Sequence, residues 1–133
     1  MNVPHQVLIV DDDQMVRGLL RVILEGQGYG VSHATNGEEA LHFLTDHSPS
    51  LIVLDLEMPV MDGPSCYRAL RSRGVAAPVL ILSAAEAMTV AEELGADAAL
   101  GKPFDVLHLT ALVSQLVSPD VPGSRASASQ PAA

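Results

Sequence analysis

Short runs of branched apolar residues alternate along the chain with longer segments in which apolar residues recur three or four positions apart. Three apolar quartets, at Val7–Val10, Leu51–Leu54 and Val79–Leu82, are typical of strands that are buried on both faces. Weaker strand candidates lie at Val31–Ala34 and Asp97–Leu100. Strand and helix patterns therefore alternate five times, which predicts an α/β fold with a parallel sheet covered by helices on both faces.

Each predicted strand is followed by a segment with helical spacing. The segment Thr35-Asn36-Gly37-Glu38 matches a capping box, in which a hydroxyl residue is followed three positions later by a glutamate, and predicts the start of the second helix. Gly26, Gly28, Gly74 and Gly95 fall where helices should end. The apolar residues at helical spacing are Met15, Leu19, Val22 and Ile23; Leu41 and Leu44; Tyr67 and Leu70; Met88, Ala91 and Leu94; and Leu109, Leu112, Val113 and Leu116.

Length and composition predict one domain of ordinary size. The chain has 133 residues, of which 48% are hydrophobic and 17% charged, so it can bury a core of its own. From residue 118 onward the sequence becomes rich in Ser, Ala and Pro, with little to bury. We therefore expect a domain over residues 1–117 and, over residues 118–133, a flexible tail or a linker cut from a longer protein.

Charge and cysteine content narrow the function classes. A formal net charge of −9 argues against direct binding of nucleic acid, which needs a basic surface. No apolar run approaches the ~20 residues of a membrane span, so we expect no membrane partner. The single cysteine, Cys66, excludes an internal disulfide, and the N-terminal MNVPHQ lacks the features of a signal peptide. These features predict a cytoplasmic location.

Polar side chains stand at the ends of four predicted strands. Asp11, Asp55 and Ser83 follow the three apolar quartets, and the fifth strand runs into Lys102, the only lysine of the chain. In an open parallel sheet, ligands bind outside the carboxyl ends of the strands. A single acid after a strand is more often a helix cap than a catalytic group. Polar groups at four strand ends nevertheless predict a site at this edge.

Four segments carry a resemblance to a known family. They are VLIVDDD at Val7–Asp13, LIVLDLEMPVMDG at Leu51–Gly63, LILSAAE at Leu80–Glu86 and GKPF at Gly101–Phe104. With these motifs in this order, the chain resembles the receiver domain of bacterial two-component response regulators over about residues 6–117. The resemblance implies a doubly wound, flavodoxin-like (βα)5 fold with strand order 2-1-3-4-5, and a cis peptide before Pro103.

The resemblance also implies a metal site. Asp55 resembles the phosphoacceptor, and Asp11 and Asp12 resemble the acidic pair that holds Mg²⁺, with Asp12 and Asp55 as direct ligands and Asp11 acting through water. Glu57 stands at the position whose backbone carbonyl is a further ligand. Asp13 stands where the family usually has a different residue, and we interpret it as the residue that opens the first helix.

The implied function is that of a signalling module rather than a metabolic enzyme. It would accept a phosphoryl group on Asp55 from a sensor histidine kinase or a phosphotransfer protein, in an Mg²⁺-dependent and self-catalysed reaction followed by slow hydrolysis. Ser83 and Lys102 resemble the hydroxyl and the lysine that contact this group. An output partner would bind the face formed by the fourth helix, fifth strand and fifth helix. Ala99 replaces the ring that usually changes rotamer there.

Two other hypotheses about function start from the same residues. A phosphatase of the haloacid-dehalogenase type also uses a strand-end aspartate, but it has a second aspartate two residues on, where this chain has Glu57, and the usual Gly-Thr is missing. In an FMN-binding flavodoxin, Asp11–Asp13 would repel the phosphate at the loop that should bind it. Sustained turnover of p-nitrophenyl phosphate with Mg²⁺ would favour the phosphatase.

Overall fold

The computed structural model describes residues 5–58, 62–84 and 88–117. Five strands and five helices alternate in this part of the chain, and the tail predicted at residues 118–133 lies outside it. The strands are β1 (Gln6–Val10), β2 (Gly30–Ala34), β3 (Leu51–Asp55), β4 (Val79–Ala84) and β5 (Ala98–Lys102), and the helices are α1 (Gln14–Gly26), α2 (Gly37–Phe43), α3 (Gly63–Ser72), α4 (Met88–Leu94) and α5 (Val106–Val117).

The strands form one parallel sheet in the order β2-β1-β3-β4-β5. This confirms the predicted fold class and strand order. Val10 pairs with both Ala34 and Leu54, and Asp55 pairs with Leu82, so neighbouring strands end at nearly the same level. Because all strands point the same way, the groups that follow them lie along one edge of the sheet.

Side chains of the central strands alternate between two apolar layers. On β3, Ile52 and Leu54 pack in the layer under α2 and α3, whereas Leu51 and Val53 pack in the layer under α1 and α5. All four side chains are at most 1% exposed. Burying one such side chain contributes roughly 1.5–3 kcal/mol. The apolar quartets therefore hold the sheet between its helices and fix where the strands end.

Aspartate and asparagine side chains cap the starts of four helices in the described ranges, including α5, where Asp105 accepts from the amides of Leu107 and His108. Asp13 caps α1 by accepting from the amides of Met15 and Val16, which confirms its predicted role, and Asp62 caps α3. The capping box predicted at Thr35 and Glu38 is wrong by one residue. Asn36 is the cap of α2, and it is Glu39 that reaches back to the amide of Thr35. The cause is that asparagine caps a helix as well as a hydroxyl residue does.

The apolar stripe predicted on α1 only partly faces the core. Met15, Leu19 and Val22 are 83%, 51% and 71% exposed, and the buried residues of α1 are Leu20 and Leu24. The helix itself carries apolar residues on several of its faces, so their spacing alone does not identify the face that packs on the sheet. None of the helices in the described ranges is long and apolar enough to cross a membrane.

Arg71 of α3 links the amino ends of β4 and β5. Its guanidinium donates to the carbonyls of Val75 and Ala77 at 2.9 and 3.0 Å and to the carboxylate of Asp97 at 3.1 Å. Asp97 in turn accepts from the amide of Val79 at 2.9 Å. This network lies at the end of the sheet opposite to Asp11 and Asp55.

Candidate functional site

Asp11 follows β1 directly and is buried at the edge of the sheet. Its amide donates to the carbonyl of Ala34, which extends the β1–β2 ladder by one bond. Its Oδ1 accepts from the amide of Asp13 at 2.9 Å. Its Oδ2 is buried and has no hydrogen-bond partner among the residues that the structure describes. A buried carboxylate oxygen without a donor is unfavourable, so this side chain suits a cation or a proton.

The environment of Asp11 disfavours its charge. Burial raises the pKa of Asp11 from 3.8 to about 6, against the lowering effect of the Asp13 amide. The negative charges of Asp55 and Asp12 add to the increase, and Lys102 opposes it. Without a cation, the ionised form of Asp11 is therefore repelled by the carboxylates beside it.

Asp55 is the last residue of β3, and its side chain is buried and paired. Its Oδ1 accepts from Lys102 Nζ at 2.9 Å and from the amide of Glu57 at 3.2 Å. Both donors reach the same oxygen, so Oδ2 takes no hydrogen bond from the part of the chain that the structure describes. The next residue, Leu56, donates from its amide to the carbonyl of Leu82 at 3.0 Å and so continues the β3–β4 pairing.

Lys102 reaches Asp55 from the end of β5, two strands away. The peptide bond between Lys102 and Pro103 is cis, which confirms the expectation from the resemblance. Burial lowers the pKa of Lys102, but the hydrogen bond and the charge of Asp55 outweigh it and raise the pKa above its ordinary value. The ammonium group is therefore charged at neutral pH and can bind a second anion beside Asp55.

Carboxylate oxygens of Asp11, Asp12 and Asp55 come together at this edge. One oxygen from each lies within 4.8 Å of the other two. Asp11 and Asp55 are buried, whereas Asp12 is exposed, so the cluster is open to solvent on one side. A hard cation such as Mg²⁺ takes oxygen ligands and keeps several waters, so this donor set and the unpartnered Asp11 oxygen fit it.

Ser83 is buried on β4 beside this cluster but does not contact it. Its hydroxyl donates to the carbonyl of Ala84 at 2.9 Å. In the sheet register Ser83 pairs with Gly101, one residue beyond the pair of Asp55 with Leu82. The structure thus places the hydroxyl on the strand next to β3, where it bonds the carbonyl of Ala84 rather than Asp55.

Three further residues from the sequence analysis lie in environments that differ from one another. The side chain of Glu57 is exposed, and only its amide bonds Asp55. Cys66 is buried in the core, and burial raises the pKa of its thiol to about 11, so it is a packing residue. Ala99 is half-buried against the layer under α2 and α3.

Two contacts at this edge were not predicted from the sequence. Arg17 donates to the backbone carbonyl of Asp11 at 2.7 Å, and Gly63 lies against the backbone of Asp55 and Leu56. The position of Arg17, one turn inside α1, is a weak signal for the first contact. The second has no signal in the sequence, because a close approach of two backbones leaves no pattern in a single chain.

A family model decides the identity of this fold and site. The model described as the response regulator receiver domain matches residues 7–114. The chain belongs to the receiver-domain family of response regulators. The receiver is a signalling module. This match argues against the hypotheses that the acids at the strand ends belong to a phosphatase or to a flavodoxin.

Curated relatives of the receiver are response regulators of greater length. It is 40% identical over 123 residues to the response regulator MprA of Mycobacterium sp. (strain KMS), covering 88% of this chain and 54% of that protein. It is 42% identical over 115 residues to the transcriptional regulatory protein PrrA of Mycobacterium tuberculosis, covering 84% and 49%. The receiver thus spans about half the length of these relatives.

Solved structures agree with the fold along nearly their whole length. The receiver domain of a Francisella response regulator superposes with a TM-score of 0.81 at 32% identity, covering 87% of this chain and 98% of that one. The response regulator TrrA of Thermotoga maritima, in complex with Mg²⁺ and BeF, superposes with a TM-score of 0.78 at 30% identity, covering 84% and 98%.

Proposed function

We propose that this receiver accepts a phosphoryl group on Asp55 in an Mg²⁺-dependent reaction and thereby changes the binding of a partner. The observation that carries the proposal is the environment of Asp55. Its carboxylate is buried, is held by Lys102 at 2.9 Å and lies within 4.8 Å of the Asp11 and Asp12 carboxylates. A bound cation would offset the repulsion among these carboxylates, and the same cation would attract a phosphoryl group.

The proposed mechanism starts from the two unlike oxygens of Asp55. Because Oδ1 is engaged by Lys102 and Glu57, Oδ2 is the oxygen proposed to attack. A bond forms between Oδ2 and phosphorus while the bond to the donor's histidine nitrogen breaks, and the product is an acyl phosphate. Lys102 then moves its hydrogen bond from the carboxylate to a phosphoryl oxygen. We propose that this phosphoryl transfer takes place in the cytoplasm.

Four residues are proposed to hold Mg²⁺. Asp12 and Asp55 would bind it through their carboxylates, Glu57 through its backbone carbonyl, and Asp11 through a water molecule. When bound, the metal supplies neutralisation of the carboxylates and of the incoming phosphoryl oxygens. The side chains of the protein contribute positioning and charge. We propose that the same arrangement catalyses both the self-phosphorylation and the slow hydrolysis that follows. The exposed side chain of Glu57 borders the open side of the site, where a hydrolytic water would enter.

The proposal predicts that Mg²⁺ and a phosphoryl analogue bind in a coupled manner. Titration of the receiver with beryllofluoride, followed by calorimetry or by amide shifts in NMR spectra, should give at least about tenfold tighter binding with Mg²⁺ than without it. The reason is that the three carboxylates repel an entering anion, and Lys102 alone offsets only part of this repulsion.

Ca²⁺ and a monovalent salt of equal ionic strength are the controls for this titration. They separate site binding from general screening of charge. Equal affinity for beryllofluoride with and without Mg²⁺ would contradict the proposed function.

The output surface is proposed to be the face of α4, β5 and α5. Ser83 is the last residue but one of β4, and among the described residues its hydroxyl bonds only the carbonyl of Ala84. A phosphoryl group on Asp55 offers strong acceptor oxygens to which this hydroxyl can turn. Since Ala99 has no ring to change rotamer, movement of α4 itself is the proposed signal.

The Ser83→Ala variant should separate phosphorylation from switching. It should still be labelled by acetyl phosphate, within about threefold of the wild-type rate, because Asp55 and Lys102 are unchanged. It should lose most of the beryllofluoride-induced amide shifts on α4 and β5, as measured by NMR. Ser72→Ala, at the end of α3, is the matched control. Full shifts on α4 in Ser83→Ala would show that the hydroxyl does not report the phosphoryl group.

A further inference from the structure

Gly63, the first residue of α3, lies against the strand end that carries Asp55. Its amide donates to the carbonyl of Leu56 at 3.0 Å. A Cβ at this position would lie 2.7 Å from the carbonyl oxygen of Asp55 and 2.7 Å from a methyl of Leu56, and closer still to Leu56 Cα. Two of these three atoms belong to the backbone, so no change of rotamer would relieve the overlap.

The glycine is required here for space rather than for backbone conformation. Gly28, Gly74 and Gly95 have positive φ angles, but Gly63 does not. By contrast, Cβ atoms built on Gly18 and Gly26 meet nothing within 4 Å. Gly63 is therefore a site of close backbone contact, directly behind the candidate phosphoacceptor.

Leu56 is held between two elements at this point. Its amide bonds the carbonyl of Leu82 on β4 at 3.0 Å, and its carbonyl accepts from Gly63. The residues on either side of Leu56 are Asp55 and Glu57, which bond each other through the Glu57 amide at 3.2 Å. A push on Leu56 from position 63 would therefore be transmitted to both neighbours.

We propose that Gly63 is a positioning residue for the phosphoacceptor site. Its missing side chain lets α3 begin in direct contact with the backbone of Asp55 and Leu56, and this contact fixes the Asp55 carboxylate and the backbone of Glu57 in the geometry that binds a cation. The inference rests on the proposed function, because it assumes that Asp55 is a ligand and the phosphoacceptor.

The Gly63→Ala variant should bind Mg²⁺ about 10- to 100-fold more weakly than the wild type, because displacing a site residue by about 1 Å can cost a factor of about 100. Affinity is measured by Mg²⁺ titration at a temperature where circular dichroism shows each protein to be folded. The amides of Leu56 and Glu57 should also shift in NMR spectra recorded without metal, which a mere loss of stability would not cause.

Two control variants distinguish positioning from stability. Gly18→Ala adds a methyl group in open space within α1 and should bind Mg²⁺ as the wild type does. Asp62→Ala removes the cap of α3, at a cost of about 1 kcal/mol, but adds nothing against Asp55. Its Mg²⁺ affinity should stay within about threefold of the wild type.

Each other outcome contradicts the inference. Wild-type affinity in Gly63→Ala, or equal weakening in Asp62→Ala, would show that the contact does not position the site. A Gly63→Ala chain that stays unfolded at every Mg²⁺ concentration would make Gly63 a folding requirement instead. If the wild type itself bound no Mg²⁺, the proposed function would fail, and the inference with it.

Discussion

The Asp55→Asn variant should not be labelled by acetyl phosphate or by a phosphorylated histidine kinase. The amide keeps the shape of the carboxylate, but it lacks the nucleophilic oxygen, and it loses the charge that pairs with Lys102 at 2.9 Å. We expect a loss of at least about 1,000-fold in the rate of labelling, measured as incorporation of radioactive phosphate or as a mass increase of the intact protein.

Asp46→Asn is the matched control for this experiment, since Asp46 is an exposed aspartate in the turn after α2. It should be labelled as the wild type is. The bond formed in the wild type should be cleaved by hydroxylamine, as expected for an acyl phosphate. Undiminished labelling of Asp55→Asn would place the phosphoacceptor elsewhere.

The Asp11→Asn variant should lose Mg²⁺ affinity and yet be more stable than the wild type when no metal is present. Burial and the neighbouring carboxylates raise the pKa of Asp11 to about 6, so its ionised form costs folding free energy at neutral pH. A pKa raised from 3.8 to about 6 means that the ionised side chain lowers the stability of the folded protein by roughly 3 kcal/mol. The asparagine removes this cost, and we expect a gain of about 1–3 kcal/mol in urea unfolding with EDTA at pH 7.5.

The sign of the pH dependence follows from the direction of the shift. Because the pKa of Asp11 is higher in the folded protein than its ordinary value of 3.8, the folded wild type takes up a proton as the pH falls through about 6. The stability difference between Asp11→Asn and wild type should therefore be largest above pH 6 and decrease toward pH 4. A difference that is constant with pH, or a variant less stable than wild type at pH 7.5, would contradict this account of the site.

Most of the fold could be predicted from the sequence because its strands are buried on both faces. Continuous apolar runs such as Val79–Leu82 have no other stable position in a protein of this size, and the structure extends this strand only to Ala84. On α1 the same reasoning fails. Residues such as Met15 and Val22 are as apolar as Leu20, and only the packing of α1 on the sheet decides which of them is buried.

The residues of the candidate site could be located, but not their hydrogen bonds. Parallel strands must end at one edge, so Asp11, Asp55 and Lys102 were expected there together. The hydroxyl of Ser83 was expected in the same place, but it bonds the carbonyl of Ala84. A side chain with several acceptors within reach takes a direction that depends on the bound state, which a sequence pattern does not contain. Likewise, the contact of Gly63 depends on how closely the start of α3 approaches the end of β3.

The Arg71 network has a mechanical consequence for any change that begins near Ser83. Arg71 holds Asp97 at 3.1 Å, and the hydroxyl of Tyr67 adds a contact to the carbonyl of Gly95 at 3.4 Å, so the turn between α4 and β5 is fastened to α3. The start of α4, at Met88, lies at the other end of the helix. Because this end is fastened, we expect a displacement that begins near Ser83 to rotate α4 about that turn. The displacement should then be largest at Met88 and smallest at Gly95, so the point about which α4 rotates is set by a guanidinium group at the opposite end of the sheet from the phosphoacceptor.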